Sequence, residues 1–317
     1  MAASRIEFGV YLPQVGTSWE DLRDRVLLCE DLGFHSVWFM DHLYPPELPQ
    51  VPSFEAWTIA TAVLALTSRI RVGHLVLSNT FRHPALLAKM ATTLDVVSSG
   101  RLELGLGSGS YAPEHERAGI RYDSPRDRAR ELEEALAIVR AAFAGEPVTH
   151  EGRFYRVRDL PNLPPPAQAG GPPIHVGGAG ERWTLPLVAR YADVWNCPTY
   201  ALADFDRKRA ALARCCAAIG RDPASIRTSQ EAVAVLVEKR ADVDDARALA
   251  LRRFGGPGWG VEAGGYVGTP DDLVARIRES AARGVSLFVF FFHDRASPET
   301  LRRFARDVAP EFASATA

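Results

Sequence analysis

Eight short apolar segments, each followed by a helical stretch, constrain this chain more than any other feature. They are 6–12, 36–40, 70–77, 101–106, 174–176, 193–196, 228–237 and 286–292. They are apolar on both faces, the pattern of parallel strands covered from both sides. Strands separated by helical patterns imply βαβ units and a parallel sheet. Eight such units favour a closed (β/α)8 TIM barrel with loop insertions over an open doubly wound sheet. A length of 317 residues fits one such barrel across 1–317.

The helical stretches carry their own punctuation. Ser18 stands before 18–32, with Asp21 three positions on and Gly33 just past the end. Pro84 enters a helix over 84–97, and 125–143 reads as a long amphipathic helix. Further helices are predicted over 54–67, 181–191, 203–219, 243–254, 271–283 and 298–308. The irregular parts are a Pro-rich loop near 44–52, a hairpin over 148–155 turning at Glu151-Gly152, and a Pro/Gly-rich loop over 161–173. The Gly-rich stretch 255–268 reads as a loop and a candidate lid.

Composition removes several classes. Hydrophobic residues make up 47% and charged residues 24%, which excludes disorder. Lys+Arg is 37 against Asp+Glu 39, so the basic excess of a nucleic-acid binder is missing. No apolar run is long enough for a membrane span, and the N-terminus shows no secretory signal. Cys29, Cys197, Cys215 and Cys216 have neither zinc spacing nor the pattern of a disulfide framework. The expectation is a cytoplasmic protein acting on a small molecule, with no metal.

A barrel of this kind carries its site at the C-terminal ends of the strands. That directs attention to Tyr11–Gln14, Asp41-His42, Leu75–Asn79, Gly107–Tyr111, Gly177–Gly180, Asn196–Thr199, Glu231 and Phe292–Asp294. Asp41-His42 is either an acid/base dyad or a loop pair. Gly105–Gly109 either admits a flat ligand close to backbone or is a tight turn; its spacing is neither Rossmann nor Walker. Gly177-Gly178-Ala179-Gly180 opens a predicted helix directly after a strand, where free N–H groups favour a phosphate. The bland alternative is a plain βα turn.

Together these motifs resemble the luciferase-like flavin-dependent oxidoreductases, and most closely their coenzyme F420-dependent branch. The resemblance rests on Ser36–His42, on Thr67–Gly73 through Arg82–Ala85, on Leu94–Gly107, on Gly177–Asn196 and on Gly268-Thr269-Pro270. The blocks run in family order along essentially the whole chain. The resemblance implies a TIM barrel, often homodimeric, that binds reduced F420 or reduced FMN. It places Asp41 and His42 beside the deazaflavin ring, with His42 as proton donor near the hydride-transferring carbon. It gives Leu75-Val76 a bulge with a non-prolyl cis peptide behind the ring. It sets Gly109-Ser110 along the cofactor site and gives Gly177, Gly178, Ala179 and Gly180 the cofactor phosphate.

One departure stands out. Ser110 occupies the position where F420-dependent sugar-phosphate dehydrogenases carry a Glu, and Glu114-His115 follow shortly as weaker acid/base candidates. Only Lys89, Lys208 and Lys239 are lysines, which leaves no obvious pair for a substrate phosphate. The resemblance therefore implies an F420-dependent oxidoreductase that moves a hydride between reduced deazaflavin and a C=C, C=N or C–O group. The alternative is an FMNH2-dependent monooxygenase using O2. A barrel that only binds the cofactor is the third reading.

Overall fold

The computed structural model describes residues 5–254 and 260–313. Eight parallel strands close a barrel. They are β1 (Glu7–Tyr11), β2 (Ser36–Phe39), β3 (Arg71–His74), β4 (Leu102–Gly107), β5 (Ile174–Gly177), β6 (Val194–Cys197), β7 (Arg227–Leu236) and β8 (Val285–Phe292). Each pairs with the next in number, and β8 returns to β1. The barrel helices are α1 (Trp19–Asp31), α2 (Ala56–Leu66), α3 (Pro84–Val97), α4 (Pro125–Phe143), α5 (Thr184–Tyr191), α6 (Phe205–Ala217), α7 (Pro270–Ala282) and α8 (Pro298–Asp307). All eight predicted strands are present.

Local chemistry explains the helix starts. The Ser18 hydroxyl accepts from the Asp21 amide at 3.0 Å. Pro84, Pro125, Pro270 and Pro298 occupy first helical positions, where no N–H is needed.

Period-two alternation sorts each strand between two cores. On β8, Phe288, Phe290 and Phe292 join the layer between barrel and helices, where Phe290 and Phe292 pack on Phe304 of α8. Leu287, Val289 and Phe291 belong to the inner cluster with Tyr11 and Trp38. Burying one such phenyl contributes about 1.5–3 kcal/mol. The fully buried Trp38 lies against Gly9 and Gly73; a Cβ on Gly73 would stand 2.4 Å from the indole. Near the N-terminal ends of the strands, His175 Nε2 and Glu103 Oε2 lie 2.6 Å apart, and Arg71 pairs with the same carboxylate. Burial pushes the Glu103 carboxyl up, but these partners outweigh it and hold it at about 2. That end of the barrel is filled, so the opening lies at the other.

The structure departs from the sequence reading in five places. The segment 70–77 is not one strand: it breaks after His74, passes the cis Leu75–Val76 peptide that the family resemblance implies, and resumes at Leu77–Ser78. Between β4 and α4 lies a short helix, Ala112–Ala118, that the sequence reading did not include. The hairpin runs on to Leu160 and turns over Gly152–Tyr155, later than predicted, because the amide of Gly152 donates to the carbonyl of Tyr155. The helix expected from 181 starts at Thr184. Of the Gly-rich stretch, 255–259, including Trp259, lies outside the described residues. Tyr266–Gly268 is a strand on the edge of β7, anchored by Tyr266, whose buried hydroxyl bonds Gln230 and Ser280.

Candidate active site

A cavity of about 310 Å³ opens at the C-terminal ends of the strands. Met40, Asp41 and His42 line one side, and Leu75 to Ser78 the next. Gly107 to Ser110 and Glu114 follow, then Gly177, Gly178 and Thr184. Asn196, Pro198, Tyr200, Glu231, Phe291 and Tyr11 close the ring. Of the sequence-predicted site residues, Asp41, His42, Leu75, Val76, Gly109, Ser110, Gly177 and Gly178 meet here. Ala179 and Gly180 are not part of the lining.

Asp41 is fully engaged. Its Oδ2 accepts from the Ser78 amide at 2.8 Å and from Arg82 Nη1 at 2.7 Å, and its Oδ1 accepts from Arg82 Nη2 at 3.0 Å. Arg82 also pairs with Glu55, which caps α2 by accepting from the amides of Trp57 and Thr58. Burial raises the Glu55 carboxyl, but those amides and the guanidinium outweigh it and bring it to about 2. Asp41 thus ties β2 to the chain just beyond the bulge. Gln14 fixes the preceding residue: its Nε2 donates to the Met40 carbonyl at 2.6 Å.

His42 is held from below. Its Nδ1 lies 3.0 Å from Glu114 Oε1, and the Leu43 amide donates to Glu114 Oε2 at 2.7 Å. Glu114 is buried, on the helix Ala112–Ala118. It therefore acts through His42 and is not itself a free acid. With Nδ1 engaged, Nε2 is the nitrogen that can exchange a proton in the cavity. The neighbouring candidate His115 is not in the cavity. It is buried between the Tyr111 carbonyl at 2.9 Å and Thr80 Oγ1 at 2.6 Å.

The glycines around the bulge make room for one side chain. A Cβ on Gly107 would stand 2.5 Å from Val76 Cγ2, and one on Gly177 would stand 2.8 Å from Val76 Cγ1. On Gly105 it would meet the His74 carbonyl at 1.9 Å. Val76 sits in this socket as an apolar ledge at the cavity wall. Gly109 has φ +77°, and a Cβ there would press on Ser78.

Beside the ledge, the Gly177–Gly180 loop is braced by Trp195, whose indole N–H donates to the Gly178 carbonyl at 2.8 Å. The Gly180 carbonyl accepts from the amides of Thr184 and Leu185, so the chain enters α5 only at Thr184, four residues beyond the last glycine. Gly178, at φ +123°, and Thr184 face the cavity.

The far wall carries Glu231, on β7. Asn196 Nδ2 donates to its Oε2 at 3.2 Å, while Ser229 Oγ donates to Asn196 Oδ1 at 3.0 Å and so orients the amide. Burial raises the Glu231 carboxyl, the Asn196 hydrogen bond offsets this in part, and the group lies at about 7. Sequence reasoning had Glu231 in view as a strand end but gave it no role; nothing local marks it.

The sequence matches the luciferase-like monooxygenase family over residues 5–258, and the chain belongs to that family. Among relatives, it is 33% identical to an F420-dependent hydroxymycolic acid dehydrogenase of Mycobacterium tuberculosis, over 71% of this chain and 61% of that protein. It is 36% identical to an F420-dependent glucose-6-phosphate dehydrogenase of Microbacterium testaceum, over 55% of this chain and 51% of that protein. These two matches span about half to three fifths of the relatives' lengths. A dehydrogenase of the latter name from Beutenbergia cavernae is 30% identical, over 92% of each chain. Among solved structures, an F420-dependent secondary alcohol dehydrogenase with an F420-acetone adduct superposes with TM-score 0.81, 18% identity, and 98% and 100% coverage. The F420-dependent tetrahydromethanopterin reductase of Methanopyrus kandleri gives 0.79 at 18% identity, with the same coverage. At that identity the likeness speaks for the fold. Among the described residues no helix is long and apolar enough to cross a membrane.

Proposed function

We propose that the chain is a coenzyme F420-dependent oxidoreductase acting on a small organic substrate. The observation that carries the reading is the His42–Glu114 pair, fixed at 3.0 Å in a cavity that also presents the Val76 ledge. The names of the relatives support deazaflavin rather than FMN. The residues present fit such a group. Val76 and Leu75 offer an apolar face to a planar ring, and a socket of three glycines leaves that face uncrowded. The loop Gly177, Gly178, Ala179 and Gly180 leads into the N-terminus of α5, where amides favour a phosphate. Gly109 and Ser110 line the wall between these two regions.

When bound, the deazaflavin supplies or takes up a hydride. The protein's own contribution is protonic and geometric. His42 Nε2 gives a proton to the substrate atom beside the carbon that is reduced, and takes one back in the reverse direction. Glu114 fixes the ring orientation. Asp41, with both oxygens committed, positions the bulge rather than exchanging a proton.

The resemblance adds three further expectations: one luciferase-like unit across 1–317, a homodimer and a cytoplasmic location. Light scattering on the purified protein tests the second. The reaction class is tested anaerobically, with reduced F420 and a panel of enones, imines and ketones. Return of the oxidised deazaflavin absorbance on addition of an acceptor supports the reading. Turnover that requires reduced FMN and O2 overturns it.

A further inference from the structure

The two walls of the cavity differ in what they offer a substrate. Three carboxylates line it, on Asp41, Glu114 and Glu231. Arg82 neutralises the first, and His42 faces the second. Among the described residues Glu231 has no cationic partner: its side-chain hydrogen bond comes from the neutral amide of Asn196. Among the described residues no lysine or arginine lines the cavity. Next to Glu231, Tyr11 and Phe291 stack with ring centroids 3.7 Å apart, and both line the same space.

A buried carboxyl beside aromatic rings, in a corner with no lysine or arginine among the described residues, is the chemistry that receives an organic cation. The ring faces attract positive charge, and the carboxylate accepts its N–H. The same corner repels a phosphate or carboxylate, which would find like charge and no counter-ion. We propose that Glu231, with Tyr11 and Phe291, holds an ammonium group of the substrate on the wall away from His42, apart from the carbon that exchanges the hydride, so that the substrate is a cationic, amine-bearing compound rather than a sugar phosphate. This rests on the oxidoreductase reading above and names its substrate.

The ionisable groups facing Glu231 are Tyr11 from β1, Cys197 from β6 and Tyr200 beyond β6; Asp41 from β2 acts on Tyr11 from the other side. The first three are themselves raised, chiefly by burial, and stay neutral near pH 7. Glu231 is therefore the group that changes charge there, and with a carboxyl at about 7 the corner becomes anionic as pH rises through that value.

The test is calorimetric titration of the F420-loaded protein, and of the cofactor-free protein, with benzylamine, benzyl alcohol and benzoate. At pH 8 benzylamine should bind about tenfold or more tightly than the other two, as expected for a charge-assisted bond. E231Q should abolish that preference, and the wild-type preference should fade below pH 7. Benzoate binding as well as benzylamine, full benzylamine affinity in E231Q, or a preference that ignores pH would each overturn the proposal. Should E231Q not fold, the wild-type pH series decides. F420 affinity is measured on the same samples. Loss of F420 binding with the amine preference intact would remove the cofactor reading and leave the corner standing.

Discussion

The two sides of the cavity treat charge in opposite ways. On the β2–β4 side the ionised groups are partnered: Asp41 with Arg82, Arg82 with Glu55, Glu114 with His42. On the β6–β7 side Glu231 is buried against an amide and lies at about 7. The first wall spends its charges on holding backbone and a histidine ring in place. The second keeps a group that can gain or lose a proton near neutrality. A rigid wall and a titratable wall facing one cavity fit a site that fixes a cofactor on one side and reads a substrate on the other.

The contrast can be broken from either side. The largest effect is expected for Arg82→Met, which leaves Asp41 buried without its cation. Breaking such a pair costs about 3–5 kcal/mol, read as a lowered denaturation midpoint. An unchanged midpoint would mean that the network does not hold the wall.

The second effect is a pH dependence. The Glu231 carboxyl is raised from the ordinary 4.5 to about 7. Between those values the folded state keeps a proton that the unfolded state has lost, so stability falls as pH rises through the window and levels off above 7. The fall amounts to roughly 3 kcal/mol. Urea unfolding of the wild type and of E231Q across pH 4–8 reads it as the difference between the curves. Parallel curves would deny the raised carboxyl.

His42→Ala should lower turnover about 100-fold, close to 2.7 kcal/mol of barrier, with F420 affinity nearly unchanged. A comparable loss of affinity would make His42 a binding residue instead. The smallest effect is expected for Glu114→Gln, which keeps a hydrogen bond but replaces the carboxylate that orients the His42 ring. Turnover should fall about tenfold with F420 affinity nearly unchanged. Unchanged turnover would leave Glu114 a structural role alone.

Much of this was legible in the sequence, and the limits are physical. Doubly apolar strands and Pro or Ser helix starts act over a few residues, so all eight strands and most helices could be read directly. Asp41 and His42 were visible because they follow an apolar strand. The break at Leu75–Val76 was not visible from composition, since the segment stays apolar throughout; only the family resemblance suggested it. The role of Glu114 was hidden because it depends on a contact 72 residues distant, made by a helix of one to two turns without a side-chain cap. Glu231 lies in an apolar strand, and only the closed barrel shows that its side chain meets Asn196 and the cavity. Gly105, Gly107 and Gly177 read in the sequence as part of a ligand cradle or a turn; only the closed barrel shows that they also make space for Val76.

The central claim is that the cavity is built for deazaflavin. Parallel fluorescence titrations of the purified protein with F420 and with FMN test it most directly. The account predicts micromolar or tighter F420 binding without comparable FMN binding. Tight FMN binding with weak F420 binding would contradict it and direct the chemistry towards O2.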